Sequence, residues 1–278
     1  MKLAPYASFT ERVMHYGVLV FVGLVLLFLI APILVIMPLS FNSESFFSYP
    51  MPGYSLKWYT GEEGFLTNER WTNALKTSLI VAIAVTVLAS VLGTIAALGL
   101  SRRNLPFRSI ILGMLISPMI VPIIITAVGV YIFYSQVGLV NSYAGLILAH
   151  TVLATPFVVI TVTSTLTGFD HSLTRAASGL GASPITVFFK IVMPLILPGI
   201  ISGALFAFVT SFDEVVVALF IASPEQRTLP KQMFSGIREL ISPTITAAAT
   251  VLVLFSAMLL VGAELIRRRG ERLRGISG

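Results

Sequence analysis

Long apolar stretches alternate with short polar ones along the chain, and this pattern predicts helices that cross a membrane. Such a helix needs about 20 mostly apolar residues. Runs without a formal charge cover residues 13–43, 77–101 and 109–169. The third run is long enough for two helices, which the polar, glycine-containing stretch 135–142 separates. The pattern therefore indicates an all-α, polytopic membrane protein.

Six helices account for these runs and for the apolar stretches that follow them. The predicted spans are residues 16–40, one helix within 77–101, one from 108 to the break at 135–142, and residues 143–166, 195–222 and 244–266. The first span exceeds the apolar core of a signal peptide, about 7–15 residues, and no small-residue cleavage site follows it, so we expect a retained anchor. With six spans, both ends of the chain lie on the same side.

The basic residues predict which side that is, because Lys and Arg concentrate in cytoplasmic loops. Cytoplasmic ends would place 12 of the 18 Lys and Arg residues inside, including the arginine run 267–269 directly after the last predicted helix. We therefore expect both termini in the cytoplasm and an outward-facing segment 41–73. Trp58 and Trp71 of that segment are expected at the membrane interface.

The composition excludes several other classes of protein. Of the 278 residues, 56% are hydrophobic and 11% are charged, whereas a soluble domain has about 25% charged residues. A soluble enzyme and a nucleic-acid-binding domain are therefore excluded, and we attribute the net charge of +6 to cytoplasmic loops. The sequence has no cysteine, no G-x-x-x-x-G-K-[ST] phosphate loop and no histidine spacing typical of a metal site. We expect no catalytic residue, metal or cofactor in this chain.

Two adjacent acids, Asp213 and Glu214, interrupt the fifth predicted span. Carboxylates inside a membrane are costly and usually face a cavity or a pathway. We therefore expect them in the outer half of a substrate path, where they would attract a cation. Adjacent helical residues point about 100° apart, so only one of the two is expected to face the path. In the alternative interpretation, the helix ends near Phe212 and both acids lie at the membrane interface.

Three further features of the apolar spans each allow two interpretations. His150 either forms an interhelical hydrogen bond or lines the path, and we include it among the path residues. Pro118 and Pro122 either kink a helix or, through that kink, shape the path. Gly199 and Gly203 form a G-x-x-x-G motif, which permits close packing within the chain or, less favoured here, between subunits.

The segment 170–198 lies on the predicted cytoplasmic side and is weakly charged. Ser183-Pro184 is a helix-start signal, because proline is tolerated in the first turn of a helix. We predict a short helix before Gly179, a turn through residues 181–183 and a second helix that runs toward Pro194. A compact helical pair with few charges exposes apolar surface, which indicates a contact with another protein.

This segment resembles the cytoplasmic motif of inner-membrane permeases from binding-protein-dependent ABC importers. In that family the motif is Glu-Ala-Ala, three residues, Gly, nine residues, Ile-x-Leu-Pro. The matching residues here are Ala176, Ala177, Gly181, Ile191 and Pro194. Arg175 stands at the position of the Glu and Met193 at that of the Leu. Any ion pair made by the family's Glu is therefore not carried over to this chain.

The second half of the chain resembles the spermidine/putrescine permease subfamily in particular. The residues of this likeness are Pro156-Phe157, the stretches 168–170 and 211–217, Thr228-Leu229-Pro230 and Ser242-Pro243. The resemblance implies the MetI-like fold of type I ABC importers, with residues 1–278 as one transmembrane permease domain. It also implies a location in the bacterial inner membrane.

The resemblance implies several partners as well. They are two ATP-binding subunits that hold ATP and magnesium, a second permease, and an extracytoplasmic solute-binding protein. The second permease is expected to be a distinct chain, with a second copy of this chain as the alternative. The ATP-binding subunits would dock on the coupling loop, 170–198. The residues implied for docking are Arg175, Ala176, Ala177, Gly181, Ala182, Ser183 and Pro184.

The implied function is import of a small cationic solute, a polyamine such as putrescine or spermidine, along a path that includes Asp213, Glu214 and His150. Relatives of the same pattern carry amino-acid-like amines or organophosphonates, so these substrates remain the alternative. An ion-coupled secondary transporter would need an inverted repeat and paired ionisable groups near the membrane midplane. Neither is visible in the sequence.

Overall fold

The computed structural model describes residues 8–102, 105–170, 172–239 and 242–273. Both chain ends, for which a common cytoplasmic side is predicted, lie outside these residues. The described part is helical and contains no β-strand. Its helices are α1 (Phe9–Leu39), α2 (Lys57–Thr60), α3 (Glu69–Leu100), α4 (Arg108–Ile120), α5 (Ile123–Val137), α6 (Tyr143–Thr167), α7 (Ser172–Gly179), α8 (Pro184–Val187), α9 (Met193–Phe212), α10 (Val216–Ile221), α11 (Leu229–Glu239) and α12 (Pro243–Leu273), and a π-helical turn, Phe188–Val192, joins α8 to α9.

The described residues form two compact units. One comprises the chain up to Thr67 together with the start of α12 up to Val251. In this unit α1 begins with a capping box, in which Ser8 Oγ accepts from the Glu11 N–H at 3.3 Å and the Glu11 carboxylate accepts from the Ser8 N–H at 2.8 Å. None of the residues of α1 is buried within the chain. A long apolar helix of this kind must be covered by lipid or by another subunit.

The segment that follows α1 in the same unit buries one of the two tryptophans. The Trp58 indole donates to the Asn42 carbonyl at 2.7 Å and is buried. Trp71, in the second unit, is buried as well. The surrounding chain covers both rings and supplies a partner for the Trp58 N–H, and their location at the membrane interface stays a prediction.

The second unit comprises Asn68–Glu239 and the rest of α12, and its core is the packing of α3, α6 and α9. Small residues allow the close approach. A Cβ at Gly93 of α3 would lie 2.6 Å from Val158 Cβ, and a Cβ at Gly203 of α9 would lie 2.8 Å from Val158 Cα. A Cβ at Gly199 would overlap the Thr165 hydroxyl. The G-x-x-x-G motif therefore packs within the chain, as the favoured interpretation predicts.

Four described helices are long and apolar enough to cross a membrane, namely α1, α3, α6 and the continuous helical stretch Pro184–Phe212. The third predicted span is sharply bent, because α4 and α5 meet at an angle of 100°, and the predicted proline kink is confirmed at Pro122. This bent pair would be a fifth span. The apolar described part of α12, Pro243–Leu259, is shorter than the others. The total of six spans stays a prediction.

The fifth predicted span is wrong as one continuous helix from 195 to 222. Helix α9 ends at Phe212, Asp213 is its C-cap residue, and α10 begins at Val216. The alternative interpretation, in which the helix ends near Phe212, is correct on this point. At its other end the helix extends past Pro194 to Pro184, so the second helix of the 170–198 segment is continuous with the span.

Candidate functional site

A cavity of about 730 Å³ lies where both helix breaks meet α6. Its walls come from the α4–α5 junction, from one face of α6 and from the α9–α10 junction. The lining residues are 118–123, Leu153, Phe157, Val209, Thr210 and 213–216. Non-helical backbone in an apolar span is tolerated where it is buried in protein or lines a cavity. The α4–α5 break and the α9–α10 break both obey this rule, because both line the same cavity.

Proline explains the first of the two breaks. Val121, the C-cap of α4, has extended backbone angles (φ −68°, ψ 131°), and Pro122 follows it. Proline has no N–H to continue the helix and disfavours helical angles at the residue before it. Pro122 lies in the cavity wall, so the kink shapes this cavity, and the interpretation that it shapes a substrate path stays a prediction. Pro118 lies inside α4, which continues through it, and also lines the cavity.

Asp213 is the acid that is open to the cavity. Its side chain is exposed, and it makes no hydrogen bond or ion pair with any described residue. Among the described residues, the cavity wall contains no basic residue and one other acid, Glu214. Asp213 is also the C-cap of α9, and the C-terminal end of a helix carries partial negative charge. The carboxylate therefore favours a cationic group in this part of the cavity.

Glu214 has the opposite environment, because it is buried and fully engaged. Only 6% of the residue is exposed. Its carboxylate accepts the backbone N–H groups of Val217 at 3.0 Å and Ala218 at 3.1 Å. These are donors of the first turn of α10, whose N-cap residue, Val215, supplies no side-chain cap. Glu214 therefore caps α10.

His150 lies behind this carboxylate rather than in the cavity wall. It is fully buried and is not a lining residue. Its Nδ1 lies 3.0 Å from Ser211 Oγ of α9, and its Nε2 lies 3.4 Å from Glu214 Oε2. The structure thus places His150 in an interhelical hydrogen bond, the first of the two interpretations, and outside the lining to which we assigned it. No cluster of described residues could hold a metal ion.

The C-terminal end of α10 is also hydrogen-bonded to other parts of the chain. The Lys231 ammonium donates to the carbonyls of Ala222 at 2.6 Å and Ala218 at 3.2 Å, and the Asn141 N–H donates to the Ile221 carbonyl at 2.9 Å. Burial lowers the pKa of Lys231, and the neighbouring charge of Arg227 lowers it further. A cation at the last carbonyls and an anion at the first amides both match the polarity of the short helix.

The 170–198 segment has the predicted helix, turn and second helix. After α7, the Gly181 N–H bonds to the Ser178 carbonyl at 3.0 Å and the Ala182 N–H to the Ala177 carbonyl at 3.1 Å. This pair of bonds is a Schellman motif, and it requires the left-handed backbone of Gly181, φ +83°. A Cβ at Gly181 would meet no atom of this chain within 4 Å. Glycine is therefore needed there for its backbone angles.

The second helix begins as the sequence predicts and leaves an apolar surface open. Ser183 is the N-cap, its Oγ accepts from the Thr186 N–H at 3.3 Å, and Pro184 occupies the first turn. Arg175 is exposed on α7. Three large apolar side chains around the turn are also exposed: Leu180 by 89%, Ile185 by 71% and Phe189 by 59%. This surface, Ser172–Phe189, is hereafter the turn surface.

Sequence reasoning found both acids but not the contacts that separate them. Ser211 was not singled out, because serine is common in apolar helices, and nothing in the sequence pairs His150 with Glu214. Leu153 and Phe157 of the cavity wall were likewise missed as lining residues, since their apolar side chains match the helices around them. The only available signal was the rarity of His150 as a titratable group inside an apolar span.

Comparison with known proteins identifies similar sequences. A family model described as "Binding-protein-dependent transport system inner membrane component" matches residues 89–272. The chain is 33% identical to the spermidine/putrescine transport system permease protein PotC of Haemophilus influenzae, over 90% of this chain and 96% of that protein. It is 35% identical to the putrescine transport system permease protein PotI of Escherichia coli strain K12, over 89% of each.

Solved structures show a similar fold. A chain in the crystal structure of a bacterial ABC transporter involved in the import of alginate matches with a TM-score of 0.71 and 14% identity, over 96% of this chain and 99% of that one. A chain of the MetNI methionine ABC transporter in an inward-facing conformation matches with a TM-score of 0.54 and 19% identity, over 73% and 99%. The fold is therefore the MetI-like fold of ABC permeases.

Proposed function

The chain belongs to the family of binding-protein-dependent transport system inner membrane components, and on this premise we propose that it is the permease subunit of an ABC importer for a small cationic solute, a polyamine such as putrescine or spermidine. It contributes no catalytic residue. ATP and magnesium are held by two partner subunits on the cytoplasmic side. A second, distinct permease completes the path, and a solute-binding protein delivers the solute from outside the bacterial inner membrane.

One observation supports the cationic substrate above all others. The Asp213 carboxylate opens into a cavity, and among the described residues it has neither a basic neighbour in the wall nor a partner of any kind. A polyamine ammonium can pair with such a carboxylate, whereas an anionic solute would be repelled by it. Asp213 therefore serves as the contact for the passing cation. The similarity to polyamine permeases, at 33% and 35% identity, supports a polyamine as the substrate class.

The turn surface is the docking site for the ATP-binding subunits. Its exposed Leu180, Ile185 and Phe189 have no cover within the chain, and burying apolar side chains of this size stabilises an interface. The residues implied for docking, 175–177 and 181–184, belong to this surface. Arg175, where the family has a Glu, would contact an acidic group of the partner. Closure of the partner subunits on ATP would move this surface and switch the single permease domain, 1–278, between outward and inward access.

A transport assay tests the proposal. The chain is reconstituted in vesicles with its second permease and ATP-binding subunits, and with the solute-binding protein outside. We expect labelled putrescine or spermidine to accumulate only with ATP, and ionophores that collapse ion gradients to have no direct effect. Accumulation of an organophosphonate but no polyamine would replace the substrate class. Accumulation driven by a proton gradient without ATP would overturn the proposal as a whole.

The docking role predicts a selective loss of assembly in Gly181→Asp. The substitution introduces a charge into the turn surface, and an unpaired charge buried in an interface costs enough to weaken binding by about a hundredfold. We expect normal membrane insertion but little copurification with the ATP-binding subunits. Gly138→Asp is the matched control, because Gly138 also has a positive φ, +73°, and open space around its Cβ. Equal copurification of both variants would contradict the docking role.

A further inference from the structure

The two adjacent acids differ in a way that the proposed function does not use. Both border the cavity, but the Asp213 side chain is exposed, whereas Glu214 is buried and its carboxylate accepts two backbone N–H groups. A carboxylate is removed from water only at a large cost unless it is paired. Glu214 also borders the cavity, but its carboxylate is bonded to the Val217 and Ala218 N–H groups, so we look for its role in what it holds in place.

Glu214 holds a helix break that no local signal requires. Residues 207–222 contain neither proline nor glycine, and their apolar pattern is that of one continuous helix. In a continuous helix, the N–H groups of Val217 and Ala218 would bond to the carbonyls four residues earlier, those of Asp213 and Glu214. In the structure the Glu214 side chain accepts both N–H groups instead. The side chain thus competes directly with the backbone acceptors that would close the break.

His150 and Ser211 keep that side chain where it can compete. Ser211 lies on α9 just before the break and His150 on α6, and both are buried. In the tautomer that carries the ring proton on Nε2, the Ser211 hydroxyl donates to His150 Nδ1. His150 Nε2 then lies 3.4 Å from Glu214 Oε2, a close approach that does not meet hydrogen-bond geometry. The three side chains therefore connect α6, α9 and α10 at the point where α9 stops.

We propose that Glu214, His150 and Ser211 form a positioning cluster that keeps the helix broken after Phe212 and so presents the Asp213 carboxylate to the cavity. If the helix continued, Val216 and Val217 would lie three and four residues beyond Asp213, on the same face, and would shield the carboxylate. The purpose of the exposed carboxylate rests on the proposed function. The maintenance of the break does not.

Single-cysteine labelling tests the cluster directly, because the native chain has no cysteine. Asp213→Cys is introduced into the chain in its assembled complex, and its rate of modification by a water-soluble, positively charged thiosulfonate reagent is measured. The same rate is then measured with Glu214→Leu or His150→Leu added. One charge-assisted hydrogen bond is enough to shift such an equilibrium by about tenfold. We therefore expect modification to slow by at least about tenfold in Glu214→Leu.

Two controls separate positioning from general damage. Thr210→Cys, in the cavity wall but within α9, should react at the same rate in every background. Glu214→Gln keeps one side-chain oxygen that can accept from Val217 or Ala218, so it should retain much more labelling than Glu214→Leu. Ser211→Ala removes one hydroxyl and should slow labelling less than Glu214→Leu. It provides a milder test if the leucine variants do not assemble.

The outcomes distinguish this inference from the proposed function. Unchanged labelling of Asp213→Cys in Glu214→Leu, or in Ser211→Ala should the leucine variants fail to assemble, would overturn the positioning cluster. An equal slowing of Thr210→Cys would overturn it as well, since the whole cavity would then have changed. Absence of polyamine uptake by the native complex would overturn the proposed function and leave the labelling result standing.

Discussion

Two helix breaks line one cavity, and they are maintained by different means. The break between α4 and α5 follows from a single residue, since Pro122 has no N–H and keeps Val121 extended. No polar side chain is needed there, and the lining residues around it are apolar. This break is local and remains whatever the neighbouring helices do.

The break between α9 and α10 depends on residues that are distant in sequence. Its three residues, 213–215, include no proline, and it is maintained by the Glu214 carboxylate and by His150 on another helix. The difference shows how one cavity can combine an apolar wall, formed by the proline break, with a polar wall, formed by the Glu214 break. The apolar break shapes the space, and the polar break supplies its charge.

The largest effect is expected where the polar break supplies that charge. Asp213→Asn keeps the size and the hydrogen-bonding capacity of the side chain but removes the charge that faces the cavity. Uptake of a diamine should fall about 30-fold, as when one member of a desolvated charge pair is removed. The measurement is the concentration dependence of uptake in the reconstituted complex.

Two controls distinguish an effect on the substrate path from an effect on assembly with the partner subunits. Hydrolysis of ATP by the variant complex should persist in part, because the turn surface is unchanged. Glu225→Gln removes an exposed acid outside the cavity wall and should leave uptake as it is. If Asp213→Asn took up the diamine as the native chain does, the charge at the polar break would have no part in uptake, and the two breaks would not differ in this respect.

The contrast between the breaks also explains what the sequence predicts well. The Schellman turn at Gly181 and the cap at Ser183-Pro184 depend on neighbouring residues, and both were predicted. The acid pair was found because charge is rare in an apolar span. The side chain that faces the cavity, and the place where α9 stops, depend on His150 and Ser211. Contacts between residues so far apart leave no periodic signal, so a continuous fifth span was the natural prediction.

An intermediate effect is expected from removing the apolar break. Pro122→Ala restores an N–H and removes a penalty of about 3 kcal/mol against a continuous helix. If α4 and α5 partly join, the cavity loses a wall, and uptake should fall roughly tenfold, as an estimate from part of that penalty. Discrimination between a diamine and a neutral analogue should be retained, because Asp213 is untouched.

Pro118→Ala is the matched control for that variant. Pro118 also lines the cavity but lies inside α4, where the helix continues and the Ser117 hydroxyl donates to the Met114 carbonyl at 2.8 Å. Alanine at this position should therefore leave uptake close to native. An equal loss in both alanine variants would mean that the prolines act through the lining and that the break itself has no special part.

The smallest effect is expected from a change in the packing of α9 against α6, which should affect the polar break and leave the proline break unchanged. A Cβ at Gly203 would lie 2.8 Å from Val158 Cα and 2.5 Å from Thr161 Oγ1. A backbone atom cannot move aside cheaply, so Gly203→Ala should force α9 away from α6 and lower stability by about 1–3 kcal/mol. The midpoint of thermal unfolding in detergent measures this loss. Gly129→Ala, in open space on α5, should be neutral or slightly stabilising.

The Gly203→Ala substitution should also affect the polar break. Since His150 on α6 and Ser211 on α9 must stay 3.0 Å apart to hold that break, Gly203→Ala should slow labelling of Asp213→Cys. A cysteine introduced at Ile123, beside the proline break, should react as in the native background. Equal slowing at both positions would show that the two breaks are coupled through the core and are not maintained independently.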